Sequence, residues 1–144
     1  MRFRKYPYEW PGIPAWCWPR VARELPPIRK QPFLKALRKG GRPRRDDRLA
    51  LGAILWRLRC GGTWSELPER FGSAATARRR LAKWQRGCIL ERAWRAYLYQ
   101  QSRGELERWR DCFEAGAFRG DSFWRYDLDR VWRMEFAPIV AEKL

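Results

Sequence analysis

Leu51, Ile54, Leu55 and Leu58 recur at the three- and four-residue spacing of one helical face, and this stretch constrains the fold more than any other. Asp46 and Asp47 open it, where carboxylates can cap free amide groups and complement the helix dipole. Gly61-Gly62 closes it. Just upstream, Gly40-Gly41-Arg42-Pro43-Arg44-Arg45 breaks any helix and concentrates positive charge. A helix is therefore fixed between two punctuation marks, with one apolar stripe that neighbours must cover.

The same grammar repeats along the chain. Trp18, Val21, Ala22 and Leu25 give a short helix within 15–25, stopped by Pro26-Pro27, and 32–37 can add a turn. Thr63-Trp64-Ser65-Glu66 is a capping box that predicts a short helix ending near Phe71-Gly72. Ser73 then caps a longer helix to about Arg86, closed by Gly87. Leu90, Trp94 and Tyr97 place a helix over 89–102, and a further one spans 105–113. The expectation is an all-α, compact helical domain with a central helix-turn-helix. It divides into an irregular, aromatic and proline-rich arm (1–14), a helical domain (15–113) and a tail (114–144). Trp124, Trp132 and Phe136 could pack that tail back onto the core.

Charge narrows the function. Against 16 Asp and Glu stand 32 Lys and Arg, a net of +16 with a pI near 10.8. Such a chain accumulates at polyanions, because each neutralised phosphate releases counterions; DNA, RNA and anionic membrane are the candidates. No apolar stretch approaches membrane-span length, and Pro7, Pro11 and Pro14 interrupt the basic N-terminus, which argues against a signal peptide. The expected place is the cytoplasm, associated with the nucleoid. Cys17, Cys60, Cys88 and Cys112 have no zinc-site spacing and there is no histidine, so no metal or other cofactor is expected and the cysteines read as small core residues. Trp56, Trp64, Trp84 and Trp94 read as packing anchors, with base stacking as the other reading. Trp10, Trp16 and Trp18 fit core or partner surface.

The segment 63–86 carries the most specific functional pattern: helix, glycine turn, helix, a plan whose second helix enters the major groove. Wound as an α-helix, Ala77, Leu81 and Trp84 fall on one side, while Thr76, Arg79, Lys83 and Arg86 fall opposite, with Arg78 and Arg80 on the flanks. No acidic residue interrupts 73–86. A solvated surface helix usually mixes both signs in pairs four apart, so this face suits phosphate and base contact, although a merely solvated basic face is the plainer alternative. The outer arginines are base-reading candidates, Lys83 and Arg86 phosphate contacts, and Arg42, Arg44 and Arg45 a basic arm along the backbone or minor groove.

Gly41-Arg42-Pro43-Arg44-Arg45-Asp46-Asp47-Arg48, Ala53-Ile54-Leu55-Trp56, Thr63-Trp64-Ser65-Glu66-Leu67-Pro68, Phe71-Gly72 and Arg80-Leu81-Ala82-Lys83-Trp84-Gln85 together resemble the N-terminal helical domain of insertion-element transposases of the DDE class. Order and spacing agree from about Trp18 to Ala96. The resemblance implies a DNA-binding domain followed by an RNase H-like domain with three metal-binding carboxylates. The position of the first is matched by Ala115 in Phe113-Glu114-Ala115-Gly116-Ala117-Phe118, and Asp121, Asp127 and Asp129 lie outside the family pattern. With the sequence ending at Leu144, the resemblance implies a truncated, non-catalytic form without catalytic residues. It would recognise the terminal repeats of a mobile element in double-stranded DNA. Full-length transposase or a second copy are further partners; a membrane is not. Two alternatives stay open: a basic helical module that binds RNA, and a folded transposase remnant with no selected function.

Overall fold

The computed structural model describes residues 10–26, 46–115 and 123–141, and among these there is no strand. The helices are α1 (Trp18–Ala22), α2 (Asp46–Cys60), α3 (Ala74–Trp84), α4 (Ile89–Tyr99), α5 (Arg103–Glu114), α6 (Phe123–Val131) and α7 (Ala137–Ala141). One π-helical turn, Trp132–Phe136, joins α6 to α7. The fold is all-α.

α2 is the axle. The expected stripe of Leu51, Ile54, Leu55 and Leu58 is fully buried, and Ala50, Ala53, Trp56 and Cys60 on its other sides are buried too. A helix apolar nearly all round belongs in a core, so α2 is wrapped rather than laid on a surface. At its end Gly61 turns to a φ of 70° and its amide donates to the Arg57 carbonyl at 2.9 Å. Gly62 is required by packing, since a Cβ there would lie 2.4 Å from the Trp56 ring.

The segment that follows departs from the sequence reading. Instead of a helix over 63–71 there are two single 3-10 turns, Trp64–Glu66 and Glu69–Phe71, separated by extended backbone at Leu67 and Pro68. Pro68 has no amide to donate and pushes its predecessor out of the helical region. The capping contact survives locally, the Thr63 amide donating to Glu66 Oε1 at 2.9 Å. The helix that packs on α3 is therefore α2, across a connection that covers 61–73. A helical pair with a tight turn is not what stands at the centre.

Further on the match is closer. Ser102 caps α5 by accepting the Glu105 amide at 3.1 Å, and α4 ends at Tyr99, three residues early. Trp94, Tyr97 and Trp109 form the aromatic centre, with the Trp94 and Trp109 rings 5.0 Å apart. Their polar atoms are satisfied: Trp109 Nε1 donates to the Tyr97 hydroxyl at 3.2 Å, and Trp94 Nε1 to the Leu128 carbonyl at 3.0 Å. The latter bond fastens α6 to the core, where Leu128, Val131, Trp132, Phe136 and Val140 are buried. The side chain of Trp124 lies outside the described residues. Trp10 and Ile13, read as part of an irregular arm, are core residues, and Arg48 and Arg70 hold them by donating to the Ile13 and Trp10 carbonyls. Cys17, Cys60 and Cys112 are buried as expected, while Cys88 is exposed. No described helix is long and apolar enough to cross a membrane.

Candidate nucleic-acid interface

α3 starts where Ser73 Oγ accepts the Thr76 amide at 3.2 Å, the N-cap that the sequence predicts. Ala77, Leu81 and Trp84 are buried against the core, which fixes the rotation of the helix. Arg80 adds a lateral anchor: its Nε donates to Asp47 Oδ1 at 2.8 Å, both side chains being mostly buried. Asp47 thus serves α3 rather than only its own helix end. The opposite face is left to solvent.

That face is made of Ala75, Arg78, Arg79, Ala82 and Lys83, all exposed, with Arg86 beyond the helix end. Among the described residues no carboxylate pairs with Arg78, Arg79, Lys83 or Arg86. Thr76 is half-buried and its hydroxyl accepts from Arg79 Nη2 at 3.3 Å, a contact that orients the guanidinium without neutralising it. The helix stops at Trp84, so Arg86 sits in a 3-10 turn, Arg86–Cys88, in which Gly87 and Cys88 both have positive φ. The expected helix through Arg86 is cut short there, because two left-handed residues cannot continue it. Arg42, Arg44 and Arg45 lie outside the described residues.

Of the residues that the sequence singles out, Arg78, Arg79 and Lys83 share one exposed face. Thr76 borders it, Arg86 extends it, and Arg80 is turned inward to Asp47. Ala75 and Ala82 were not singled out. Their signal was present as the missing members of the 75, 78, 79, 82, 83 spacing, but small residues attract no attention beside arginines. Their methyl-sized side chains leave the helix backbone accessible between the long cations.

Other arginines are structural. Arg57 donates to the Gly62 carbonyl at 3.0 Å and lies over the Trp64 ring at 4.7 Å, clipping the connection onto α2. Arg59, almost completely buried, pairs with Glu105 at 3.1 Å and stacks on Trp109. The buried Cys112 thiol donates to the Leu58 carbonyl at 3.1 Å, and burial holds its pKa far above the usual thiol value, so it is no nucleophile. Among the described residues no cluster of acidic, cysteine or histidine side chains could hold a metal.

α3 thus sets a buried apolar face opposite an exposed basic one that has no carboxylate partner among the described residues. The chain belongs to the family described as "Putative transposase of IS4/5 family (DUF4096)", whose model matches residues 16–94. That span runs from just before α1 into α4 and contains all of α3. Over 53 residues the chain is 45% identical to the "Uncharacterized protein y4sN" of Sinorhizobium fredii (strain NBRC 101917 / NGR234). The similarity covers 36% of this chain and 42% of that protein, so it spans less than half of the relative. No solved structure matches the chain.

Proposed function

We propose that this chain is a double-stranded DNA-binding module of an insertion-element transposase, and that α3 reads the terminal repeats of the element. The observation that carries the reading is the outward face of α3, where Arg78, Arg79 and Lys83 stand exposed without a carboxylate partner on a helix locked by Trp84 and Arg80. Like charges this close repel one another in the free protein, a cost that phosphate contact removes. Arg79, held by Thr76, is suited to the bidentate contact with guanine, and Ala75 and Ala82 to thymine methyl groups. Lys83 and Arg86 contact phosphates. Membership in the transposase family supports the choice of DNA over RNA.

The module does not cut DNA on its own in this reading. Ala115, an exposed residue at the end of α5, occupies the position matched to the first metal-binding carboxylate, and a methyl group cannot ligate an ion.

The test is an anisotropy titration against terminal-repeat duplex, random duplex and structured RNA at several salt concentrations. A steep salt dependence and a preference for the repeat duplex are expected. Equal, feeble binding to all three would contradict the proposal, and tighter binding to RNA would transfer the face to the RNA-binding alternative. Strand cleavage on adding Mg²⁺ or Mn²⁺ would overturn the non-catalytic part.

A further inference from the structure

Exposed arginines fall into two groups among the described residues. Arg103, Arg108 and Arg130 each lie against a carboxylate, Glu107, Glu105 and Glu91 respectively. Arg20 and Arg23 at α1 are exposed too, and like Arg78 and Arg79 on α3 they have no carboxylate partner among the described residues. The difference decides what each can bind. A paired arginine gives up its carboxylate before it takes a phosphate, whereas one without a partner gives up only water.

α1 is held so that these two side chains face outward. Cys17, Val21 and Leu25 recur every four residues and are buried, which turns Arg20 and Arg23, one turn apart, away from the core. The Gln100 side chain donates to the Cys17 carbonyl at 3.0 Å, and Arg92 Nε pairs with Glu24 at 3.5 Å. The segment 17–24 therefore runs antiparallel along α4, from Gln100 just past its end to Arg92 near its start. Arg92 also donates to the Gly87 carbonyl at 3.1 Å. One guanidinium thus touches both the stretch that follows α1 and the turn that follows α3. Arg23 is the chain neighbour of Glu24, and Arg86 is the chain neighbour of Gly87, so the segments that carry these two arginines meet at Arg92. The acids at this junction, Glu24 and Glu91, are each held by an arginine, Arg92 and Arg130.

We propose that Arg20 and Arg23 bind the phosphate backbone of the duplex that α3 enters, as a second contact beyond Lys83 and Arg86. This role rests on the duplex-binding role proposed for α3. A strand whose phosphates lie against Lys83 and Arg86 meets α1 next, across a junction whose acids are both neutralised. The planar fork of arginine suits a phosphate, and α1 is fastened to α4 near both ends of the segment 17–24, so the contact comes from a fixed support. Phosphate contacts fix how a duplex lies and carry no base information, so α1 sets register and strength while α3 sets which sequence is preferred.

The experiment is an anisotropy titration of terminal-repeat and random duplex with the 144-residue chain over several salt concentrations. Wild type is compared with Arg20→Ala/Arg23→Ala, with Arg20→Lys/Arg23→Lys, and with Arg108→Ala/Arg110→Ala, which removes the same charge from arginines that already hold Glu105 and Asp111. The α1 alanine variant should bind both duplexes more weakly by the same factor and keep the preference for the repeat. Its slope of log affinity against log salt should flatten by up to about 0.9 per residue removed, and the lysine variant should restore that slope. The α5 variant should keep the wild-type slope. Because Arg20 and Arg23 are exposed, melting followed by circular dichroism should be the same for all four proteins. A wild-type slope in the α1 alanine variant, or the same flattening in the α5 variant, would overturn the role of α1 and leave that of α3 standing. Lost preference for the repeat would overturn it too, by showing that α1 reads bases. Wild-type binding that is feeble and indifferent to salt would overturn both roles together.

Discussion

α3 and α5 both present arginines to solvent, yet they use them in opposite ways. On α5, Arg103, Arg108 and Arg110 each lie within 3.6 Å of a carboxylate on the same helix, Glu107, Glu105 and Asp111 respectively. On α3, Arg78 and Arg79 have no such neighbour, and no acidic residue exists between Ser73 and Arg86 to supply one. Exposed pairs of the α5 kind contribute roughly 0–1 kcal/mol each and chiefly cancel charge. The contrast teaches that a high pI does not locate a nucleic-acid surface. The pairing pattern narrows the choice: among the described residues it leaves the outer face of α3, and Arg20 and Arg23 at α1, without carboxylate partners.

The comparison can be broken or sharpened in several ways, beginning with the largest effect. Trp94→Ala should cost about 3–5 kcal/mol, because it empties the aromatic centre and removes the donor to the Leu128 carbonyl. Urea unfolding followed by two probes, one at α3 and one at α5, should show both lost together; separate transitions would mean that the two helices belong to independent bodies. Arg79→Ala should lose about 1–3 kcal/mol of affinity on the preferred duplex and relax its specificity, with folding stability changed by less than about 0.5 kcal/mol. Asp47→Asn should act in the opposite direction on the two readouts. Stability falls by about 1–3 kcal/mol as the mostly buried Arg80 loses the charge of its partner, while duplex affinity rises with one negative charge removed.

Smaller still is a change in the DNA alone. Replacing thymine by uracil in the preferred site removes only the methyl that Ala75 or Ala82 would meet, and should cost up to about 0.8 kcal/mol at one or two positions. Acid gives the weakest test. Arg95 hydrogen-bonds Glu135 and holds its carboxyl below the usual range, so its contribution is present at neutral pH and lost as pH falls through that lowered value. Burial pushes Asp127 and Asp129 the other way, so they penalise the fold at neutral pH and release it as they protonate. Glu135→Gln should therefore make the melting temperature fall less on acidification through the carboxylate range than it does in the wild type.

Much of this was legible in the sequence. The Ala77, Leu81, Trp84 face and the Ser73 cap follow from spacing and from one hydroxyl, both local properties. α2 was readable as a helix but not as a buried axle, because periodicity reports a face and cannot report how many neighbours surround it. The helix expected over 63–71 failed at Pro68, where the missing amide outweighed the capping box. Ile13 escaped and Trp10 stayed open between core and partner surface, because they belong to no periodic segment; Arg70 and Arg48 fix them from 60 and 35 residues away. The engagement of Arg80 by Asp47 spans 33 residues and left no trace in the local pattern. At the site itself, the arginines were visible and their alanine neighbours were not.

The most direct test of the central claim is the salt dependence of duplex affinity for two triple variants. One removes Arg78, Arg79 and Lys83 from α3, and the other removes Arg103, Arg108 and Arg110 from α5, each by alanine. If α3 neutralises phosphates and α5 neutralises only its own acids, the first variant should flatten the slope of log affinity against log salt by up to about 0.9 per residue removed. The second should leave the slope at its wild-type value. Equal flattening by both variants would contradict the account, because it would show that duplexes respond to total charge and not to the unpaired face of α3.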